Sequence, residues 1–130
     1  MSSAHLFDTI PQDALLFGRG PAFQPKLVAD WLGLDKGELS RIASVSRSSV
    51  RYDAAAPRAL IERLEEIANI ANMVAQIFDD DGAKTALWFR TKNPMLGDVS
   101  PRDMVRLGRH DRLRKFIVRA VADQSTRPTA

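Results

Sequence analysis

Cysteine is absent from the chain. Its absence excludes a disulfide-stabilised scaffold, a thiolate metal site and catalysis by a cysteine nucleophile. Histidine is scarce as well: His5 and His110 stand far apart, and neither has a second ligand at metal-binding spacing such as HExxH. The glycine motifs that bind phosphates and the GxSxG motif of serine hydrolases do not occur. We therefore expect a protein that is not an enzyme and needs no metal ion or cofactor.

Long apolar runs are also missing, and none approaches the roughly 18 residues that a membrane span requires. The first residues, MSSAHLFDTIPQDALLF, lack the basic region and the apolar stretch of a signal peptide. Hydrophobic residues nevertheless make up 45% of the chain, which is enough for the core of one compact domain or two very small ones. We expect a cytoplasmic protein without a membrane partner.

Charge is distributed unevenly along the chain. Residues 1–56 are neutral, residues 57–81 carry a net charge of −4, and residues 82–130 carry eleven basic and four acidic residues, a net charge of +7. A basic block is typical of a nucleic-acid surface or of a surface that binds an acidic partner. Charge alone equally allows a solvated helix face with surplus arginine.

The apolar spacing predicts an all-α protein, because no stretch alternates as a strand would. One helix is predicted from Pro25 to a stop at Gly33, and Asp35 with Glu38 forms a capping box for the next. Residues 57–80 carry a wide apolar stripe, which favours a central helix over a two-stranded coiled coil. Further helices are predicted to start after the N-caps Asp81, Ser100 and Asp111, and we interpret residues 79–81 as a cap, not as calcium ligands.

Residues 36–53, KGELSRIASVSRSSVRYD, fit the pattern of a helix-turn-helix motif. The pattern predicts a helix from Lys36, a turn near Ser44 and a second helix that begins after Ser46. The outward side chains of the second helix can contact phosphates or read bases. The predicted DNA-binding residues are Arg47, Ser48, Ser49, Arg51 and Tyr52. Two alternatives stay open: an ordinary helical corner, or a helix-turn-helix fold that does not bind DNA.

Three regions are predicted. Residues 1–22 form an N-terminal arm, residues 23–56 form the helix-turn-helix region, and residues 57–130 form the central helix with a C-terminal domain and tail.

The stretch from Asp80 to Ile117 resembles the toxin-binding domain of the Xre/MbcA/ParS antitoxin family. A tryptophan is followed by an Asn-Pro turn, a Leu-Gly pair and a helix that begins with proline. The residues that carry the resemblance are Trp88, Phe89, Arg90, Thr91, Asn93, Pro94, Met95, Leu96, Gly97, Ser100, Pro101, Asp103, Met104 and Gly108. Asp98-Val99 departs from the pattern, since many relatives have a second glycine there. The upstream helix-turn-helix is similar to the Xre-like half of this family.

The resemblance implies an N-terminal Xre-like helix-turn-helix bundle that a long central helix joins to a small helical toxin-binding domain. It implies the antitoxin of a type II toxin–antitoxin pair, whose partner is a RES-domain toxin that consumes NAD or transfers ADP-ribose from it. Such an antitoxin blocks the NAD pocket of the toxin, binds operator DNA to repress its own operon, and forms homodimers and larger toxin–antitoxin complexes. The implied toxin-binding residues are Met95, Leu96, Arg106, Arg109, Arg112, Arg119, Asp123, Arg127, Thr129 and Ala130.

Two other functions fit the same pattern. The chain could be a stand-alone transcriptional regulator whose C-terminal half only dimerises, or an adaptor that binds another helical protein. Within the turn at residues 93–101, we expect Leu96 to point inward and Met95 to be more exposed.

Overall fold

A computed structural model describes residues 11–126, with side chains as far as Asp123. Six α-helices and three 3₁₀ turns account for its regular structure, and the described residues contain no strand beyond one isolated bridge between Asn93 and Val99. The all-α prediction is therefore confirmed. The helices are α1 (Pro25–Leu32), α2 (Lys36–Ala43), α3 (Arg58–Ile77), α4 (Gly82–Arg90), α5 (Pro101–Arg106) and α6 (His110–Thr126). The 3₁₀ turns are Gly20–Ala22, Arg47–Ser49 and Pro94–Leu96.

Helix α3 lies at the centre of the fold, and α1, α2, α4 and α6 all pack against it. The side chains of Leu60, Leu64, Ile67 and Ile70 are completely buried, and they spread over more than one face of the helix. A helix that is buried on several sides serves as the shared core of its neighbours. The predicted role of the central helix is thus confirmed. None of the helices within residues 11–126 combines the length and the apolar composition that crossing a bilayer requires.

Local capping signals set most helix ends as predicted. Asp35 and Glu38 form the capping box of α2, and the side chain of Asp81 accepts a hydrogen bond from the Lys84 amide at the start of α4. The side chain of Ser100 caps α5 in the same way, with Pro101 as its first residue. Each such cap satisfies a backbone N–H that has no partner inside the helix. Gly33 ends α1 in the left-handed conformation (φ +63°).

The prediction of a second helix in the helix-turn-helix motif is wrong. Residues 47–49 form a single 3₁₀ turn, and the backbone then runs extended through Val50, whose side chain is buried in the core. The hydroxyl of Ser46 bonds the hydroxyl of Ser49 and caps no backbone amide. Serine side chains that bond locally compete with helix formation, and Pro57 disfavours helical backbone at the residue before it. Both effects leave residues 46–56 outside any α-helix.

Part of the predicted N-terminal arm packs on the core. The side chain of Phe17 is buried, and the amide of Leu15 donates a 3.0 Å hydrogen bond to Oδ1 of Asn72 on α3. The carboxylate of Asp13 accepts hydrogen bonds from the amides of Phe17 and Gly18 and from the Asn72 side chain. Because Asn72 is only 2% exposed, these bonds satisfy an amide group that would otherwise be buried without partners.

An aromatic row joins this arm to the C-terminal half. Phe17, Trp31, Phe89 and Trp88 contact one another edge-to-face in that order, with ring centroids 5.9, 5.1 and 5.3 Å apart. Edge-to-face contacts at such distances are the favoured geometry of aromatic pairs. Both tryptophans are partly buried and pack against the hydrophobic core.

Two arginines from the C-terminal half bind the carboxyl end of α1, and we call this pair the arginine clamp. Arg90 on α4 donates a 2.8 Å hydrogen bond to the carbonyl of Trp31. Arg102 on α5 donates to the carbonyl of Leu32 and, at 2.7 Å, to that of Gly33. The last carbonyls of a helix lack intrahelical partners and attract positive charge, so the clamp fits their chemistry. It ties the N-terminal helices to the C-terminal ones across the predicted boundary at residue 57.

Replacing Leu64 with alanine should lower the free energy of unfolding by about 2–5 kcal/mol, because the substitution leaves a cavity in the shared core. Leu64 is completely buried, whereas Leu107 is 48% exposed and provides the matched control. Leu107→Ala should change stability by no more than about 0.5 kcal/mol. Urea unfolding followed by circular dichroism measures both values. Equal effects of the two substitutions would contradict the central position of α3.

Candidate protein- and DNA-contact surfaces

The turn between α4 and α5 is held in one shape by hydrogen bonds from Asn93. Its side-chain oxygen accepts from the Met95 amide at 2.9 Å, its amide donates to the Val99 carbonyl at 3.1 Å, and its carbonyl accepts from the Asp98 amide at 3.0 Å. Gly97 adopts φ +80°, a conformation that favours glycine. The chain thus closes into a loop between residues 93 and 99 with the 3₁₀ turn at its tip.

Met95 and Leu96 lie at this tip and point in opposite directions. The Met95 side chain is 77% exposed, while Leu96 is partly buried and packs against the hydrophobic core. This confirms the expectation that Leu96 points inward and Met95 is the more exposed. The pinned turn therefore presents one large apolar side chain to solvent, where apolar area is available to a partner.

The basic residues of the C-terminal half divide into two groups. Arg106, one of the predicted toxin-binding residues, is engaged within the chain: its Nε lies 2.7 Å from Oε2 of Glu38 and its Nη1 lies 3.4 Å from Oδ1 of Asp103. Its side chain is 30% exposed. The other predicted arginines that the structure describes are exposed, and they are Arg109, Arg112 and Arg119.

Helix α6 has an exposed basic row and a buried apolar face. Arg112, Lys115 and Arg119 follow one another at intervals of three and four residues, so they share one side of the helix. Leu113 and Ile117 are fully buried on another side. Within residues 11–123, none of the three cations forms an ion pair. Their charge is thus available to an acidic partner.

The remaining predicted toxin-binding residues lie at or beyond the end of the described structure. Asp123 is exposed and has an interaction partner. Arg127, Thr129 and Ala130 lie outside the described residues.

The five residues predicted to bind DNA do not project from one helix face. Arg47 and Ser48 are exposed, and Ser49 is partly buried against Ser46. Arg51 forms a two-pronged pair with Asp53, with N–O distances of 2.8 and 2.5 Å. Tyr52 is 36% exposed and lies beside α1, where partial desolvation and then the charge of Asp30 raise the pKa of its phenol.

A second basic surface, on α2, was not predicted from the sequence. Gly37, Arg41 and Ser44 follow at intervals of four and three residues, on the side away from the buried Leu39 and Ile42. The segment after α2 adds the guanidinium of Arg47 to this face, since a Cβ placed on Gly37 would lie 3.9 Å from its Nη1. Lys36 is exposed at the start of the helix. We call Lys36, Arg41 and Arg47 the α2 cations; within the described residues none has an ion pair.

Gly33 is the feature of the sequence from which this surface could have been predicted. Two helices of eight residues, α1 and α2, are joined by the three-residue segment 33–35, and Gly33 supplies its left-handed conformation. A short turn that contains glycine is the usual connection of paired helices of this kind. The turn at Gly33 thus joins two α-helices, whereas the predicted turn near Ser44 is followed only by a 3₁₀ turn.

A buried polar group lies where α6 begins. His110 is 6% exposed, and its Nε2 accepts a 2.6 Å hydrogen bond from Nη1 of Arg63. The same nitrogen of Arg63 lies 3.1 Å from Oε1 of Glu66. Arginine is always protonated, so His110 accepts only as a neutral ring whose proton is on Nδ1, an atom without a hydrogen-bond partner. Burial, followed by the charge of Arg63, lowers the pKa of His110 below its ordinary 6.5.

Glu66, His110 and Asp111 could each offer one ligand atom to a metal ion, since those atoms lie within 4.8 Å of one another. Arg63 already binds two of the three side chains. A metal ion would have to displace this guanidinium and would meet its charge. We therefore assign the group a structural role at the junction of α3 and α6.

No protein-family model, curated protein or solved structure matches the chain. A function must therefore be inferred from three surfaces: the pinned turn with Met95, the basic row of α6, and the α2 cations.

The state of His110 should make stability depend on pH. Protonation is disfavoured in the folded protein, so the unfolded chain binds more protons wherever His110 titrates. The stability that neutral His110 contributes is complete above about pH 6.5, is lost as the pH falls through the lower folded pKa, and then levels off. Compared with His110→Gln, the wild-type protein should lose more unfolding free energy between pH 7.5 and pH 5. Parallel pH profiles for the two proteins would refute this role of His110.

Proposed function

We propose that the protein is an antitoxin that binds a RES-domain toxin through its C-terminal half and contacts operator DNA through α1 and α2. The proposal rests first on the resemblance of residues 80–117 to the toxin-binding domain of Xre/MbcA/ParS antitoxins. The observation that carries it is the pinned turn, in which the residues of that resemblance hold an apolar side chain out into solvent. In this proposal the antitoxin blocks the NAD pocket of the toxin, acts without catalysis, and works in the cytoplasm.

The toxin surface combines an apolar contact with positive charge. Met95 is unbranched and flexible, so it adapts to an irregular apolar patch on a partner. The α6 row of Arg112, Lys115 and Arg119, together with Arg109, complements an acidic surface. Arginine makes strong paired hydrogen bonds with carboxylates, and a pocket that binds an anionic dinucleotide does not repel it. The tail with Arg127 follows directly after α6 and is the candidate to enter the pocket.

The DNA surface is assigned to α1 and α2, one helix earlier than the sequence pattern suggested. In a helix-turn-helix motif the second helix reads the major groove with its N-terminal residues. Helix α2 is eight residues long, its outer face has the small Gly37 beside Arg41, and Ser44 follows as its C-cap residue. A helix with a narrow outer face can approach base edges closely, and the α2 cations can bind phosphates on either side.

A stand-alone transcriptional regulator is the second candidate, and the α2 cations favour it. In that case α6 and the pinned turn would serve a second copy of the chain and no toxin. The two functions differ in one cheap observation, since a RES-domain gene next to the gene of this protein favours the antitoxin. Both functions keep the homodimer and the operator as expected partners.

Replacing Met95 with aspartate should weaken toxin binding by roughly 30-fold, because a charge then occupies the apolar contact at the centre of the interface. The assay follows NAD consumption by a RES-domain toxin, taken from the gene next to this one where that gene encodes such a toxin, while wild-type or variant protein is titrated in. Leu16→Asp is the control, since Leu16 is 76% exposed, close to the 77% of Met95, and lies outside the C-terminal half.

The control should inhibit as the wild type does. Full inhibition by the Met95→Asp variant would show that the pinned turn does not contact the toxin. If the wild-type protein leaves NAD consumption unchanged, the antitoxin function is rejected and the transcriptional regulator remains as the candidate function.

A further inference from the structure

Helix α5 holds the first turn of α2 through one carboxylate. Oε1 of Glu38 accepts a 3.0 Å hydrogen bond from the Asp35 amide in the capping box, and Oε2 accepts a 2.7 Å hydrogen bond from Nε of Arg106. The side chains of Glu38 and Arg106 are 16% and 30% exposed, so the pair is largely shielded from water. A charge-assisted hydrogen bond in such surroundings has a fixed geometry and is weakly screened by salt.

The same helix also holds the end of α1. Arg102 lies one helical turn before Arg106 and donates to the carbonyls of Leu32 and Gly33. Residues four apart lie on one face of a helix, so a single face of α5 reaches both ends of the turn at residues 33–35. The connection between the two N-terminal helices is thus bound on both sides by residues that are about 70 positions away in sequence.

Helix α2 also has contacts of its own besides the bonds from α5. The helix has its own N-cap in Asp35, and its apolar side chains Leu39, Ile42 and Ala43 are buried in the core. The hydrogen bonds from Arg102 and Arg106 add a second set of contacts at the amino-terminal end of this helix, where Lys36 is exposed. A binding site needs its supporting residues to hold that end within a fraction of an ångström.

We propose that Arg102 and Arg106 are positioning residues for DNA recognition: they hold the first turn of α2 at the angle that fits the major groove, without touching DNA. The proposal rests on the assignment of α2 as the DNA-reading helix. It gives Arg106 a role inside the chain in place of the toxin contact that the family resemblance implies. It also makes sequence-specific binding a property of the whole chain, since the N-terminal helices lack these two contacts on their own.

The test neutralises the ion pair without changing the net charge. In the variant Glu38→Gln/Arg106→Gln, the glutamine at position 38 can still accept in the capping box, because glutamine serves there as glutamate does. The matched control is Arg58→Gln/Glu62→Gln, which neutralises an i,i+4 pair on α3 whose side chains are 90% and 58% exposed. Full-length proteins are compared by mobility shift on a duplex from the region upstream of the gene and on a scrambled duplex of equal length and composition.

The ratio of upstream to scrambled affinity should fall about tenfold or more in the Glu38/Arg106 variant, which is the loss of one good base contact. Affinity for scrambled DNA and its salt dependence should stay at the wild-type values, because no phosphate contact is removed. The control variant should retain the full ratio. Arg106→Lys should recover part of it, since lysine keeps the charge at this position.

Any one of four results would overturn the proposal. A wild-type ratio in the Glu38/Arg106 variant would show that the pair does not position α2. If the slope of log affinity against log salt concentration decreases by the amount expected for about one phosphate contact, Arg106 itself touches DNA. If the Glu38/Arg106 variant loses its helical circular dichroism signal and no longer binds either duplex, the ion pair serves folding and not positioning. If the wild-type protein does not distinguish the two duplexes, the DNA half of the proposed function fails and this inference fails with it.

Discussion

The unpaired carbonyls at the end of α1 are the constraint on which the arrangement of the two halves depends. A helix that ends inside a protein must find donors for these groups, and here Arg90 and Arg102 supply them from α4 and α5. Arg63 does the same for α2, since its Nε donates to the carbonyl of Ile42 at 2.9 Å. The short N-terminal helices are therefore completed by side chains from the rest of the chain, and one hydrophobic cluster runs through both halves.

This constraint explains why the basic charge of residues 82–130 has two different uses. Arg90, Arg102 and Arg106 bind groups within the chain, namely backbone carbonyls and Glu38. The row on α6 is directed outward and has no ion pair within the described structure. Net charge cannot separate the two groups, because an arginine that caps a helix and an arginine that binds a partner contribute equally to it. The two groups of arginines can be told apart only from the contacts that each guanidinium makes.

The parts of the fold that the sequence predicted are those with local causes. The capping box of Asp35 and Glu38, the caps at Asp81 and Ser100, and the stops at glycine all depend on residues within one turn. Their signals are strong because each satisfies a backbone group or relieves a backbone clash. The pinned turn was predictable for the same reason, including the opposite directions of Met95 and Leu96.

The parts that were missed have more than one kind of cause. The helix predicted after Ser46 does not form, because serine hydroxyls bond one another there and Val50 is buried on extended backbone. The buried amide of Asn72 fixes part of the N-terminal arm through Leu15 and Asp13, and no local pattern announces such a pair. The α2 surface was missed because Arg47 joins it only after the chain has turned back over Gly37. In the last two cases the decisive contact joins residues that are well separated in the sequence, so no local pattern predicts it.

Because the arginine clamp and one hydrophobic cluster join the two halves, their helices should open as one cooperative unit. Native-state hydrogen exchange in increasing denaturant measures the opening free energy of each helix directly. The most protected amides of α1, α2, α4 and α5 should converge on the opening free energy of α3 as denaturant rises. Amides of α1 and α2 that exchange through a separate opening of much lower free energy, while α3 to α5 stay closed, would contradict the claim that the clamp joins the two halves.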